Sequence, residues 1–222
     1  LQAHRARLKP ETPFVLGGEE CFCTREAGVG DAAGNFGALD RDAIRAAKLQ
    51  VQFAERPSLV GGHGFSTGRI PADSFERVLA PTRMSVGIRN GQACAPEGLP
   101  EAKRAATTMV PDDFQHEQAT AFVVKDKGLV VMTSCGHRGI VNSVVTAQKV
   151  SGVNKVHAIL GGFHLAPHAP EYWRQTVEAI QGLQSSIALW KLDFDSELVY
   201  VGDAGATEAS GASKRKGIEW NN

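Results

Sequence analysis

The stretch Gly128–Asn142, GLVVMTSCGHRGIVN, decides how this chain is read. Gly128 to Met132 is an apolar run of strand length. It gives way at Thr133-Ser134-Cys135-Gly136-His137, after which Ile140, Val141, Val144 and Val145 fall at helical spacing. A buried strand passing through a glycine-containing turn into a helix is where α/β proteins concentrate functional groups. His137 is therefore set to project a ring nitrogen into a cleft, with Gly136 and Gly139 permitting tight backbone geometry. Imidazole is a good ligand for zinc, iron or manganese, and Cys135 is a softer donor candidate beside it.

Working outward, Ala119–Val124 is a second strand, joined to the first by Lys125-Asp126-Lys127 as a hairpin. The helix that follows runs to Val150 and is closed by Gly152. Lys155–Leu165, KVHAILGGFHL, then repeats the logic: a strand, a glycine pair, and His164 at the exit. Two strand ends each delivering a histidine are what a metal site between sheets requires. The plainer alternative is a hydrogen-bonded turn histidine at each place. Pro170 opens a further helix with Glu171 in its first turn and Trp173, Val177 and Ile180 on one face. Leu198–Val201 reads as a last strand.

The amino-terminal half is less regular. Leu1–Leu8 reads as the tail of a short helix stopped by Pro10, and Pro13–Leu16 as a brief strand. Cys21–Gly37, rich in glycine and small residues, reads as irregular. Asp40–Ala47 has helical spacing with Asp40 as N-cap, Leu49–Phe53 alternates as a strand does, Gly61–Ile70 is loop-like, and Met84–Ile88 is another short strand. Antiparallel pairs followed by alternating strands and helices predict a mixed α/β layered architecture. No internal repeat or linker divides the chain, so one domain is expected over residues 1–202, with an irregular tail over 203–222.

Composition narrows the function classes. Of 222 residues, 42% are hydrophobic, enough for a substantial core. Twenty-four basic side chains balance 24 acidic ones, so electrostatics give no support to a nucleic-acid or membrane-surface partner. No apolar run has bilayer-spanning length. The four cysteines show no disulfide-framework density, and Cys21 and Cys23 are too close to bridge each other easily. Free thiols in a reducing, cytoplasmic setting are the expectation.

Two strings carry a family resemblance: DDFQHEQATAFVVKDKGLVVMTSCGHRGIVNSV from Asp112, and SGVNKVHAILGGFHLAP from Ser151. They resemble the branch of the metallo-β-lactamase-fold hydrolases related to dihydropterin-aminobenzene-phosphate synthases. The likeness is dense from Pro111 to Tyr172. It extends loosely back through PFVLGGEECFCTR, FSTGRIP and Ser74-Phe75-Glu76. The resemblance implies a four-layer αββα sandwich with a metal site, usually dinuclear, at one edge between the sheets. It further implies metals that polarise a small-molecule substrate and activate a water against an ester, amide or phosphoester. It places His137 and His164 among the metal ligands or beside them. His116 and Glu117 fall where related enzymes place polar site residues, with a solvated strand edge as the plainer alternative. Cys135 is a further candidate next to the ligands, or else a small buried thiol.

The departures bear on completeness. The family's defining His-x-His-x-Asp-His string is absent, and the opening LQAHRARLKPETPFVLGGEE resembles what normally follows it. The sandwich is thus expected to be incomplete on its amino-terminal side. Where relatives carry a later histidine, this chain reads LQSSIALWKLDFDSELVYVGDAGA and has none. Asp193, Asp195 or Asp203 could substitute, Asp203 standing at a strand end in VYVGD. The resemblance implies zinc, one or two ions, with iron or manganese as alternatives. Two functional readings stay open. One is a metal-dependent hydrolase, complete in a longer precursor or completed by a partner chain. The other is a catalytically inactive remnant or truncated product that keeps the fold without a full metal centre. A missing outer strand–helix unit would expose a sheet edge and predicts a homo-oligomer. His63 reads as a turn residue, His157 as a buried-strand residue, His168 as loop surface and His4 as solvated; Phe65, Phe114, Phe163 and Trp173 read as core or cleft wall.

Overall fold

The computed structural model describes residues 7–27, 34–78, 82–87, 94–104, 109–165 and 168–183, and the backbone of 185–191 and 198–202. The expected helix tail at Leu1–Leu8 lies almost wholly outside these residues, as does the expected tail over 203–222.

The hairpin read from the sequence forms the centre of the larger sheet. β9 (Thr120–Val124) and β10 (Gly128–Met132) pair antiparallel, Val124 facing Gly128 and Thr120 facing Met132. The connecting turn places Asp126 at φ 62°, a backbone that a short polar side chain tolerates. β11 (Val156–Gly162) lies parallel to β10, and β12 (Ser185–Lys191) lies parallel to β11. β13 (Leu198–Gly202) closes that side antiparallel to β12. On the other side β6 (Gly64–Ser66) pairs with β9, and β5 (Ser58–Val60) pairs with β6. The seven strands run in the order β13-β12-β11-β10-β9-β6-β5.

Two helices cover one face of this sheet. α3 (Ile140–Ser151) packs on β10, α4 (Pro170–Gly182) on β12, and the two helices on each other. Along β10 only Leu129 and Val131 are buried, while Val130 is half-buried and Met132 exposed, so alternate residues face the helices. Leu129, Val131, Ile140, Val144, Ala147, Ile159 and Ile180 form one core cluster. Each large aliphatic side chain removed from water there stabilises the fold by about 1.5–3 kcal/mol. Gly152 ends α3 at φ 69°, its N–H bonded to the carbonyl of Gln148, as its position predicts.

A second, smaller sheet is wholly antiparallel: β3 (Gly34–Gly37), β2 (Thr24–Ala27), β7 (Thr82–Ser85) and β8 (Met109–Pro111) in that order. Beside it β1 (Pro13–Leu16) and β4 (Gln50–Phe53) pair parallel, and α1 (Arg41–Ala46) packs on β4. Asp40 caps α1 by accepting from the N–H groups of Asp42 and Ala43. A four-residue helix, α2 (Glu101–Arg104), precedes β8. Phe22, Ile44, Met84, Val86 and Leu99 make the second core cluster.

Three expectations are corrected. The stretch Cys21–Gly37 is not irregular throughout. A 3-10 turn at Glu19–Phe22 leads into β2, and β3 returns against it, because pairing with β7 satisfies a backbone whose side chains carry no clear alternation. Gly61–Ile70 is not simply a loop, since β6 sits inside it and joins β5 to the large sheet. The thiols are not all free. Cys23 and Cys94 form a disulfide, both fully buried, 71 residues apart in sequence and brought together by β2 and β7; Cys21 and Cys135 are unpaired. No helix of the described residues is long and apolar enough to cross a membrane.

Candidate functional site

Because β10 and β11 are parallel neighbours, the segments leaving their carboxyl ends emerge side by side. Cβ atoms have no room where these segments meet. One built on Gly161, which lies at φ 137°, would stand 2.2 Å from the carbonyl oxygen of Thr133. Glycine at this position lets the His164 segment lie against the His137 turn.

His137 and His164 meet there, ring centroids 4.0 Å apart and planes inclined at 49°. Phe114 stacks on the opposite face of His137 at 3.9 Å and 16°. His137 is thus held between two rings, and both Phe114 (φ 52°) and His164 (φ 46°) adopt left-handed backbone to hold it. Non-glycine residues enter that region at a cost of roughly 1–2 kcal/mol, so the surrounding structure must enforce it. Burial, then the neighbouring charges of His164, His116 and Arg25, push the His137 pKa down to about 3. Its ring is neutral at physiological pH, and its buried Nδ1 makes no hydrogen bond.

Glu117 does not lie at a solvated strand edge. It is buried, and its carboxylate accepts the backbone N–H groups of His137 (2.9 Å) and Arg138. Burial pushes its pKa up, against the pull of those two N–H groups. Glu76 does the same one step further along, accepting from the N–H groups of Val141 (3.1 Å) and Asn142 (2.8 Å) at the start of α3. Gly139, at φ 97°, admits this grip, for a Cβ there would stand 2.1 Å from a Glu76 carboxylate oxygen.

His116 stands apart from the His137–His164 pair. Phe114 lies between, 5.8 Å from the His116 ring. His116 joins Glu20 and Asp112 in a cluster whose ligand-type atoms lie within 4.8 Å of one another; among the described residues no other three-donor grouping of this kind occurs. Side-chain cations already compensate this cluster. Arg25 Nε bonds Asp112 at 2.5 Å, and its Nη2 lies 3.3 Å from His116 Nδ1. Lys103 Nζ bonds Glu20 at 2.8 Å and Asp113 at 2.5 Å. Burial alone would raise the Glu20 carboxyl. His116 and Lys103 outweigh it and hold Glu20 down at about 2. His116 Nδ1 stands 3.5 Å from Glu20 Oε2, which has no bonded donor.

A cavity of about 340 Å³ opens between these groups, lined among others by Arg25, Phe114, His116, Glu117, Cys135 and His137. Burial and then the Glu117 charge raise the Cys135 pKa, so it lines the cavity as a neutral thiol. Asp193, Asp195 and Asp203 lie outside the described residues, as does His4. His63 is exposed in the β5–β6 turn, His157 is half-buried in β11, and His168 stacks on Tyr172 at 3.8 Å. Reasoning from sequence did not single out Glu20, Arg25, Lys103 or Asp112. Arg25 and Asp112 are 87 residues apart, and no local spacing announces their pairing.

No family model matches the chain. A stretch of 75 residues is 40% identical to 7,8-dihydropterin-6-methyl-4-(β-D-ribofuranosyl)-aminobenzene-5′-phosphate synthase of Methanocaldococcus jannaschii, amounting to 34% of this chain and 25% of that protein. Among solved structures the chain is similar to a metal-dependent hydrolase of the β-lactamase superfamily, with a TM-score of 0.61 at 20% identity. That superposition covers 83% of this chain. The fold is of the metallo-β-lactamase type. The chain spans 60% of that neighbour and a quarter of the synthase, less than two thirds of either. Within the metallo-β-lactamase-type fold the two histidine-bearing segments lie at adjacent strand ends, and the mixed α/β arrangement expected from the sequence holds.

Proposed function

We propose that the chain carries part of the site of a metal-dependent hydrolase acting on an ester, amide or phosphoester of a small molecule, with His137 and His164 as metal ligands. The observation that carries this reading is the His137 ring: neutral, half-buried, set against two other rings, with its buried Nδ1 making no hydrogen bond and His164 beside it. A buried nitrogen left without a partner is costly, and a lone pair held in fixed geometry is what a metal ligand needs. Two imidazoles suit zinc, iron or manganese, and zinc is the ion we expect. Such an ion would supply Lewis acidity and lower the pKa of a water. The chain's own residues shape the rest. Phe114 walls one side of His137 and excludes water from it, Glu117 fixes the turn that carries it, and Cys135 and His116 face the cavity.

The nature of the hydrolysable bond follows from this chemistry only as a class. The test is hydrolysis of chromogenic phosphodiester and carboxylic-ester substrates, with and without chelation and zinc re-addition, in the wild-type chain and in His137→Ala/His164→Ala. Zinc-restored turnover absent from the double variant supports the reading. Turnover indifferent to both treatments overturns it.

A second reading rests on the compensated Glu20–Asp112–His116 cluster. The chain would then be a binding protein that keeps the fold without a full metal centre, since side-chain cations occupy its three-donor grouping and no third described donor of the same kind joins His137 and His164. Under this reading the double variant changes stability alone.

A further inference from the structure

Two buried carboxylates grip the passage from β10 into α3: Glu117 accepts the backbone N–H groups of His137 and Arg138 in the turn, and Glu76 those of Val141 and Asn142 in the first turn of the helix. Neither carboxylate comes from the turn itself. Glu117 precedes β9, and Glu76 lies in the segment after β6. Their surroundings differ. Glu76 stands at the amino end of a twelve-residue helix and is also bonded by the Ser74 hydroxyl, so a helix terminus and a hydroxyl supply its partners. Glu117 sits before the helix begins, beneath His137, and makes no ion pair with a lysine or arginine among the described residues. The nearest guanidinium in sequence, that of Arg138, is turned to the carbonyls of Ile70 and Asp113. A carboxylate only 7% exposed and without a cationic side chain is expensive to bury unless something else supplies counter-charge.

We propose that Glu117 is the positioning residue for His137. Its carboxylate, bonded to the His137 N–H, fixes the direction in which the ring leaves the backbone and would supply counter-charge to a cation that the ring held. The proposal rests on the metal-site reading above and adds to it a residue that touches neither the ion nor the substrate. Glu76, with the same kind of bonds four residues further on, anchors α3 and not the ring. Outer partners that orient a ligand are worth about 10–100-fold in metal affinity.

The experiment is titration with cobalt(II) alone, followed by its visible absorption, on the wild-type chain, Glu117→Gln, Glu76→Gln and His137→Ala/His164→Ala, with the thermal melt of each recorded alongside. Glu117→Gln is expected to weaken cobalt binding by about 10–100-fold. Glu76→Gln is expected to melt lower yet bind as the wild type does. Should Glu117→Gln fail to fold, Glu117→Asp keeps the charge but withdraws it from the N–H groups, and the same loss is expected. Wild-type affinity in the Glu117 variants, or equal weakening in Glu76→Gln, overturns the positioning role while leaving the histidine pair standing. Cobalt binding that is absent from the wild type, or unchanged in the double histidine variant, overturns the site itself.

Discussion

At the scale of single residues, the site shows two ways of treating buried polar groups. Around His116, charges cancel within the protein. Asp112 is fully buried in its side chain and Glu20 nearly so, and Arg25 and Lys103 neutralise them. Breaking one partner of such a pair leaves an uncompensated buried charge. Arg25→Met should destabilise the chain by about 3 kcal/mol, the low end for a buried pair because Arg25 keeps 17% of its side chain exposed. Equilibrium denaturation in urea measures it. The Glu20 carboxyl, held at about 2 from an ordinary 4.5, is lower in the folded state than in the unfolded one. Its contribution to stability is therefore complete above pH 4.5 and is lost as pH falls from 4.5 towards 2. Glu20→Gln should flatten the stability profile in that window. An equally steep acid limb in the variant would assign the loss to other groups. Around His137 the buried Nδ1 makes no hydrogen bond, and that contrast sets this ring apart.

At the scale of elements, the turn from β10 into α3 depends on one glycine more than on any side chain of the helix. Gly139→Ala would meet the Glu76 carboxylate at left-handed φ and should cost about 3 kcal/mol. Gly152→Ala, at φ 69° in open space, should cost only about 1–2 kcal/mol. The ratio of the two, read by denaturation, separates steric conflict from backbone strain. The same elements show what a sequence makes legible. The β9–β10 hairpin, α1 with its Asp40 cap, α3 with its Gly152 stop, and α4 opening on Pro170 were all readable, because period and capping chemistry are local. β5 and β6 were not, being three residues each on either side of the Gly61-Gly62 turn, and β12 was missed although the chain needs it to extend the sheet past β11. His137 and His164 were legible as strand-end residues. The Phe114 stack and the Arg25–Asp112 bond were not, since both depend on contacts that only the assembled sheets create.

At the scale of the whole molecule, two features follow from how the sheets close. The Cys23–Cys94 bridge ties the segment entering β2 to the region after β7 across 71 residues. Removing such a cross-link loses about 2–5 kcal/mol, and Cys23→Ala/Cys94→Ala should melt correspondingly lower than the oxidised chain. Leu59 on β5, the edge strand of the large sheet, is 82% exposed. An apolar strand at a sheet margin invites pairing between copies. We expect concentration-dependent self-association in sedimentation, reduced by Leu59→Lys; a monomer throughout would contradict that expectation. Neither feature decides the chemistry that we propose for the histidine pair beyond the ends of β10 and β11. The direct measurement is metal content by mass spectrometry on protein purified without chelator, for the wild-type chain and His137→Ala/His164→Ala. Bound zinc, iron or manganese in the wild type and its loss from the double variant is the predicted result; no metal in either, or equal metal in both, would contradict the account.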